Sequence, residues 1–104
     1  MEYKLEYLPS AALDIMEIEA SLYEFNHAAS DKFANEIEKK TSDLTRHPFM
    51  YQVCEEDDFF RSVPLCYNYR LFYHIAEETK AVKIFRVLRG MMDIGKELQT
   101  NAEW

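Results

Sequence analysis

Polar and apolar residues alternate over Glu2-Tyr3-Lys4-Leu5-Glu6-Tyr7-Leu8, which puts Tyr3, Leu5 and Tyr7 on one face and predicts a half-buried strand. Pro9-Ser10 stops the strand, and the period then changes. From 11 to 26 the apolar residues Ile15, Ile18, Leu22 and Phe25 recur every three or four positions, with Asp14, Glu17 and Glu24 on other faces. This predicts an amphipathic helix, with Ser10 as its expected N-cap. Asn26-His27 interrupts the pattern, and a second helix follows from Ala28 to Arg46. Its apolar stripe is Ala29, Phe33, Ile37 and Leu44, and Glu36-Lys40 and Lys39-Asp43 are opposite charges four residues apart. Arg46 and His47 complement the negative end of the helix dipole, and Pro48 prevents continuation. So short a break between the helices makes them an antiparallel hairpin.

Residues 48–59 read as a loop carrying Glu55-Glu56-Asp57-Asp58, whose like charges favour extended, solvated backbone. Three strands are expected after it, at 60–66, 67–75 and 81–88. Pro64 puts the first at an edge or a bulge, and Ala76 to Lys80 forms the turn between the last two. Gly90 closes the third strand, a short helix spans 91–98, and 99–104 is a loose tail. The order β-α-α-β-β-β(-α) is an α+β fold in one domain, 1–104, with a helical hairpin on one face of a small, mostly antiparallel sheet.

Composition narrows the function. With 48% hydrophobic and 30% charged residues the chain has the balance of a folded protein. No apolar run approaches the ~18 residues of a membrane span, and the N-terminus lacks the basic and apolar regions of a signal peptide, so a soluble, cytoplasmic protein is expected. Cys54 and Cys66 form no C-x-x-C pair and read as idle thiols of a reducing compartment. Gly90 and Gly95 are the only glycines, which excludes a glycine-rich phosphate loop. His27 and His47 sit at helix ends, His74 lies alone on a strand, and no histidines share a metal-ligand spacing with a carboxylate. No metal or cofactor is expected.

The formal net charge of −7 argues against a nucleic-acid partner, because phosphate binding is driven by Lys and Arg. The charge is segregated, however. Residues 1–60 carry 5 basic and 14 acidic groups, and residues 61–104 carry 7 and 5, so the strands of the last third are basic. On the second of these strands Asn68, Arg70, Phe72 and His74 share one face and Tyr69, Leu71, Tyr73 and Ile75 the other. The more apolar set is expected to face the helices, leaving Arg70 on the open side. On the third strand, packing Val82, Ile84 and Leu88 inward would put Arg89 outside with Arg70, and Arg86 would then snorkel or find a carboxylate. Arg61, Arg70, Lys83 and Arg89, interleaved with Phe72 and Phe85, have the ingredients of a surface that holds phosphate and stacks a base. On composition alone the same cations read as solvated strand charges or partners for the many carboxylates.

Three segments in this order resemble the RelE/ParE toxin superfamily of bacterial type II toxin–antitoxin modules, which includes plasmid-stabilisation toxins. They are Tyr3 to Ala11 with the Asp14-Ile15-Met16-Glu17-Ile18 helix, Leu44-Thr45-Arg46-His47-Pro48-Phe49-Met50, and Asn68 to Tyr73 leading to Val82 to Gly90 and Asp93. The resemblance implies a growth-inhibiting toxin neutralised by a cognate antitoxin. RelE-like members are metal-independent endoribonucleases that cut mRNA on the ribosome, as mRNA interferases, with basic residues on the sheet; ParE-like members act on DNA gyrase. By this resemblance Arg70 matches the strand arginine of the nucleases and Arg89 falls near a basic C-terminal-strand position, with Arg61 as a third catalytic candidate. Lys83, Arg86, Phe72 and Phe85 would contact RNA or another target. Leu22, Phe25, Met91 and Met92 are candidates for antitoxin contact, by a tail that folds over the toxin. The acidic Glu55 to Asp58 segment and Met91-Met92 stand where nuclease members carry basic residues. A non-toxic protein-binding domain of the same fold is the alternative.

Overall fold

The computed structural model describes residues 2–90 and 92–99. Strand β1 (Lys4–Tyr7) leads into helices α1 (Pro9–Phe25) and α2 (His27–Arg46), followed by β2 (Arg61–Leu65), β3 (Tyr69–Ala76), β4 (Ala81–Arg89) and α3 (Ile94–Gln99). The sheet order is β1-β4-β3-β2. β2, β3 and β4 form the expected antiparallel meander, and β1 joins β4 in parallel, Leu5 opposite Val82. A parallel neighbour requires a crossover, which the helical hairpin supplies. β2 is an edge strand, so Pro64 removes no ladder donor from an interior strand.

Local chemistry sets the helix ends. α1 begins two residues earlier than its apolar period suggests, because Pro9 at the first helical turn has its φ pre-set and lacks an N–H that would need a partner. Ser10 is therefore not the N-cap: it is the second helical residue, and its hydroxyl donates to the Phe85 carbonyl at 2.8 Å. Asn26 ends α1 and caps α2, its side-chain oxygen accepting from the Ala28 and Ala29 amides at 2.8 and 3.3 Å. Glu36 pairs with Lys40 as expected, whereas Asp43 bonds Arg46.

Two apolar clusters lie on opposite faces of the sheet. On the helix side Ala11, Ile18, Phe33, Ile37 and Leu44 meet Val63, Leu71, Tyr73, Val82, Ile84 and Val87. The other face is not open: Phe72, Phe85 and Leu88 are buried there beneath Cys54 and Phe60 of the loop and Ile94 and Leu98 of α3. The acidic loop is accordingly not extended, although Glu55, Glu56 and Asp58 remain exposed to solvent. The Cys54 N–H donates to the Phe60 carbonyl at 2.8 Å and the Phe60 N–H to the Asp57 carbonyl at 3.1 Å, closing the acidic run into a turn with an apolar residue at each end. Burial of Cys54 and Phe60 offsets the repulsion among the carboxylates.

A β-bulge decides which way the β4 side chains point. Tyr73 pairs with Ile84 and Phe72 with Arg86, leaving Phe85 as the extra residue. The alternation resets there, so Ile84 and Val87 both join the helix-side cluster and Phe85 and Leu88 both join the other. Strict alternation had placed Leu88 with the helices. β4 ends against the β2–β3 turn, where Tyr67 and Asn68 adopt left-handed φ of 60° and 63° and the Gly90 N–H donates to the Asn68 carbonyl at 2.7 Å. A Cβ on Gly90 would meet Asn68 Oδ1 at 2.7 Å, so a side chain here would oblige the Asn68 side chain to shift. Met91 and residues 100–104 of the expected tail lie outside the described residues; Gln99, expected in that tail, is the last residue of α3.

Candidate functional site

Arg70 stands on β3 between Pro64 of β2 and Leu88 of β4, on the face away from the hairpin. Its guanidinium lies 4.9 Å from the centroid of the Phe72 ring, and its fork takes both oxygens of Glu56, at 2.9 and 3.2 Å. Ser62 Oγ is 3.1 Å away and Cys54 Sγ 3.8 Å. The pair is only partly screened, with the Arg70 side chain 27% and the Glu56 side chain 34% exposed. Bonds from Arg70 and from the Cys54 thiol hold the Glu56 carboxyl down at about 2, and burial together with Glu56 pushes the Cys54 thiol up. That thiol is therefore a weak nucleophile.

The four strand cations do not share a face. Lys83 is opposite His74 at the far end of the Arg70 face. Arg61 lies on the helix-side face opposite Tyr73, donating to the Tyr51 carbonyl at 2.6 Å with its guanidinium 5.2 Å from the Phe49 centroid. Arg89 also sits on the helix-side face, over the Tyr69 ring at 5.7 Å. The bulge causes this: once Leu88 turns to the Arg70 face, Arg89 turns away from it. Phe72 and Phe85 are buried, so neither ring presents a face for a base to stack on.

Arg86 finds the carboxylate that its parity required. Its Nε and Nη2 donate to Asp14 on α1 at 2.7 and 3.1 Å, and the Val87 amide also donates to Asp14. Arg86 lines a groove of about 280 Å³ between α1 and the end of β4, together with Glu17, Tyr69, Arg89 and Met92. Of the antitoxin-contact candidates, Leu22 packs against the helix-side core, while Phe25 at the hairpin tip is 88% exposed and Met92 is exposed. Leu13, Met16 and Tyr23 are also exposed on α1, an outward apolar stripe opposite the buried Ile18. Their three- and seven-residue spacing is visible in the sequence, but it was overshadowed by the stronger inward period.

Two further partners were not anticipated. Glu56 is one of four consecutive acids, and nothing local in the sequence distinguishes it from its neighbours. His74 donates its Nδ1–H to the Phe59 carbonyl at 2.9 Å and stacks on the Phe59 ring at 3.8 Å, fastening the loop to β3 a second time. Among the described residues no group of three or more His, Cys, Asp or Glu side chains gathers as a metal site, and no helix is long and apolar enough to cross a membrane.

The sequence matches, over residues 5–94, a family model described as the ParE toxin of the type II toxin–antitoxin system parDE. No curated protein matches it. Among solved structures, the chromosomal ParDE system of P. aeruginosa superposes with a TM-score of 0.70 at 16% identity, covering 85% of this chain and 96% of that one. A mutant of E. coli toxin RelE in the free state gives 0.67 at 16% identity, covering 93% of each chain. The intact E. coli RelBE toxin–antitoxin complex gives 0.62 at 16% identity, covering 86% and 99%. At these identities the structural likeness is one of fold.

Proposed function

The chain belongs to the ParE toxin family of type II toxin–antitoxin systems, and we propose that it inhibits growth by binding a protein target, DNA gyrase, and not by cutting mRNA. The observation that carries this reading is the state of Arg70. Cleavage on the sheet would need free cations converging on one phosphate. Here the Arg70 fork is taken by Glu56, Arg61 and Arg89 lie on the opposite face, and Phe72 and Phe85 are in the core. The net charge of −7 also opposes long-range attraction to a polyanion such as the ribosome.

The same reading includes neutralisation by a cognate antitoxin. The outward stripe of Leu13, Met16 and Tyr23, and separately the exposed Phe25 at the hairpin tip, support a partner segment that brings an apolar face of its own, as segments that fold on binding do. The E. coli RelBE neighbour is a toxin–antitoxin complex.

Induced expression separates the alternatives. Growth arrest is expected, relieved by co-expression of the adjacent antitoxin frame, with purified protein blocking gyrase supercoiling and mRNA left intact in a translating extract. Cleaved mRNA with normal supercoiling would overturn the gyrase reading. Absence of arrest with antitoxin binding retained would leave a protein-binding domain without toxicity.

A further inference from the structure

The Arg70 fork is a receptor for a planar two-oxygen anion that already holds one. Glu56 occupies both nitrogens, Ser62 Oγ lies at 3.1 Å, and the Phe72 ring lies beneath. A phosphodiester would use the same two donors. The loop that delivers Glu56 is fastened independently of it, by the Cys54 amide to the Phe60 carbonyl, by the buried Cys54 and Phe60, and by Phe59 stacked on His74. The carboxylate therefore sits in place without an association cost, whereas an RNA phosphate must be brought from solution.

We propose that Glu56 is a specificity-determining residue, an intramolecular plug that competes with RNA phosphate for the Arg70 fork and turns this face of the sheet away from nucleic acid. Glu55, Asp57 and Asp58 add repulsion toward a polyanion, and only Glu56 of the four is bonded to Arg70. With its carboxyl held at about 2, the plug stays charged throughout the neutral range and is not opened by mild acid. The proposal rests on the protein-target reading given above.

The test measures binding of a labelled single-stranded RNA of about 12 nucleotides to the full chain at low salt. Glu56→Gln is expected to bind about tenfold more tightly than the wild type, the gain of one charge-assisted contact, and Glu56→Gln/Arg70→Ala should lose that gain. Asp58→Asn makes the same change in net charge away from the fork and should leave affinity within about twofold. Glu56→Asp, which keeps the charge and shortens the reach, should fall between wild type and Glu56→Gln, and it carries the test if Glu56→Gln fails to fold. Folded Glu56 variants that bind RNA no better than wild type would overturn the proposal. An equal gain in Asp58→Asn, or a gain that survives Arg70→Ala, would overturn it too. Cleavage of mRNA by the wild type would instead sink the protein-target reading, whatever the Glu56 variants bind.

Discussion

A carboxylate that accepts both arms of a guanidinium ties local stability to pH in one direction. Glu56 is held at about 2 in the folded chain, against about 4.3 when unfolded. A depressed folded value means that the pair's contribution is fully present above the unfolded value and is lost as pH falls through the folded one. Wild-type stability should therefore drop relative to Glu56→Gln between about pH 5 and pH 2, by less than about 1 kcal/mol because both side chains are partly exposed. Urea unfolding of the two proteins across that window checks this, and a difference that stays constant would remove the pair as the cause. Gly90 makes a second residue-scale case. Gly90→Ala should cost about 1 kcal/mol through contact with Asn68 Oδ1. Asn68→Gly should recover much of that loss, since it deletes the clashing atom at a residue whose φ of 63° glycine adopts freely. Equal cost of Gly90→Ala in both backgrounds would show that the contact is not responsible. The placement of Arg70 on the face away from the helices was legible because strand alternation is local. Its partner was not, because Glu56 lies 14 positions away in a run of four equivalent acids.

Elements join through the irregularities that their periods do not encode. The β4 bulge puts Phe85 out of step, and α1 answers it twice, with the Ser10 hydroxyl on the Phe85 carbonyl and with Asp14 on Arg86 and the Val87 amide. The Arg86 and Asp14 side chains are 15% and 13% exposed, so removing one partner strands a charge that water barely reaches. Asp14→Ala should cost about 3 kcal/mol in chemical denaturation, far more than a surface substitution. A cost below about 1 kcal/mol would mean that the pair does not hold α1 to the sheet. The outward stripe of α1 behaves oppositely. Met16→Lys should leave stability within about 0.5 kcal/mol and weaken capture of the antitoxin in a co-purification assay; a stable variant with undiminished capture would exclude this face as the contact. The hairpin and the meander are readable from periods of 3.6 and 2, whereas α1 starts at Pro9, ahead of the polar cap candidate Ser10, because proline's fixed φ favours the first turn. The loop departs from the extended form its charge density favours because two apolar anchors, Cys54 and Phe60, are buried on either side of it.

At the scale of the whole molecule, the first strand seals the edge of β4 that would otherwise be exposed. β1 pairs with β4 across more than seventy residues of chain, and the Tyr3 amide is bonded to the Thr45 carbonyl at 2.8 Å. Deleting residues 1–7 should leave an apolar β4 edge and produce a concentration-dependent loss of soluble protein, read by light scattering. A monomeric, fully soluble truncation would contradict that role for β1. The element order and the α+β class followed from the sequence by itself, because apolar periodicity and turn residues are local properties that any folded arrangement must satisfy, and the family resemblance followed from the residues of three segments taken in order. The same locality explains why the basic last third and the outward face of Arg70 were visible. Which cations share a face was decided only by the tertiary structure: one extra residue in β4 reverses every side chain beyond it, and no local pattern announces it. The burial of Phe72 and Phe85, and the closing of Arg70 by Glu56, were likewise settled only when α3 and the acidic loop folded across the sheet, since burial and ion pairing depend on distances in space and not on separation along the chain.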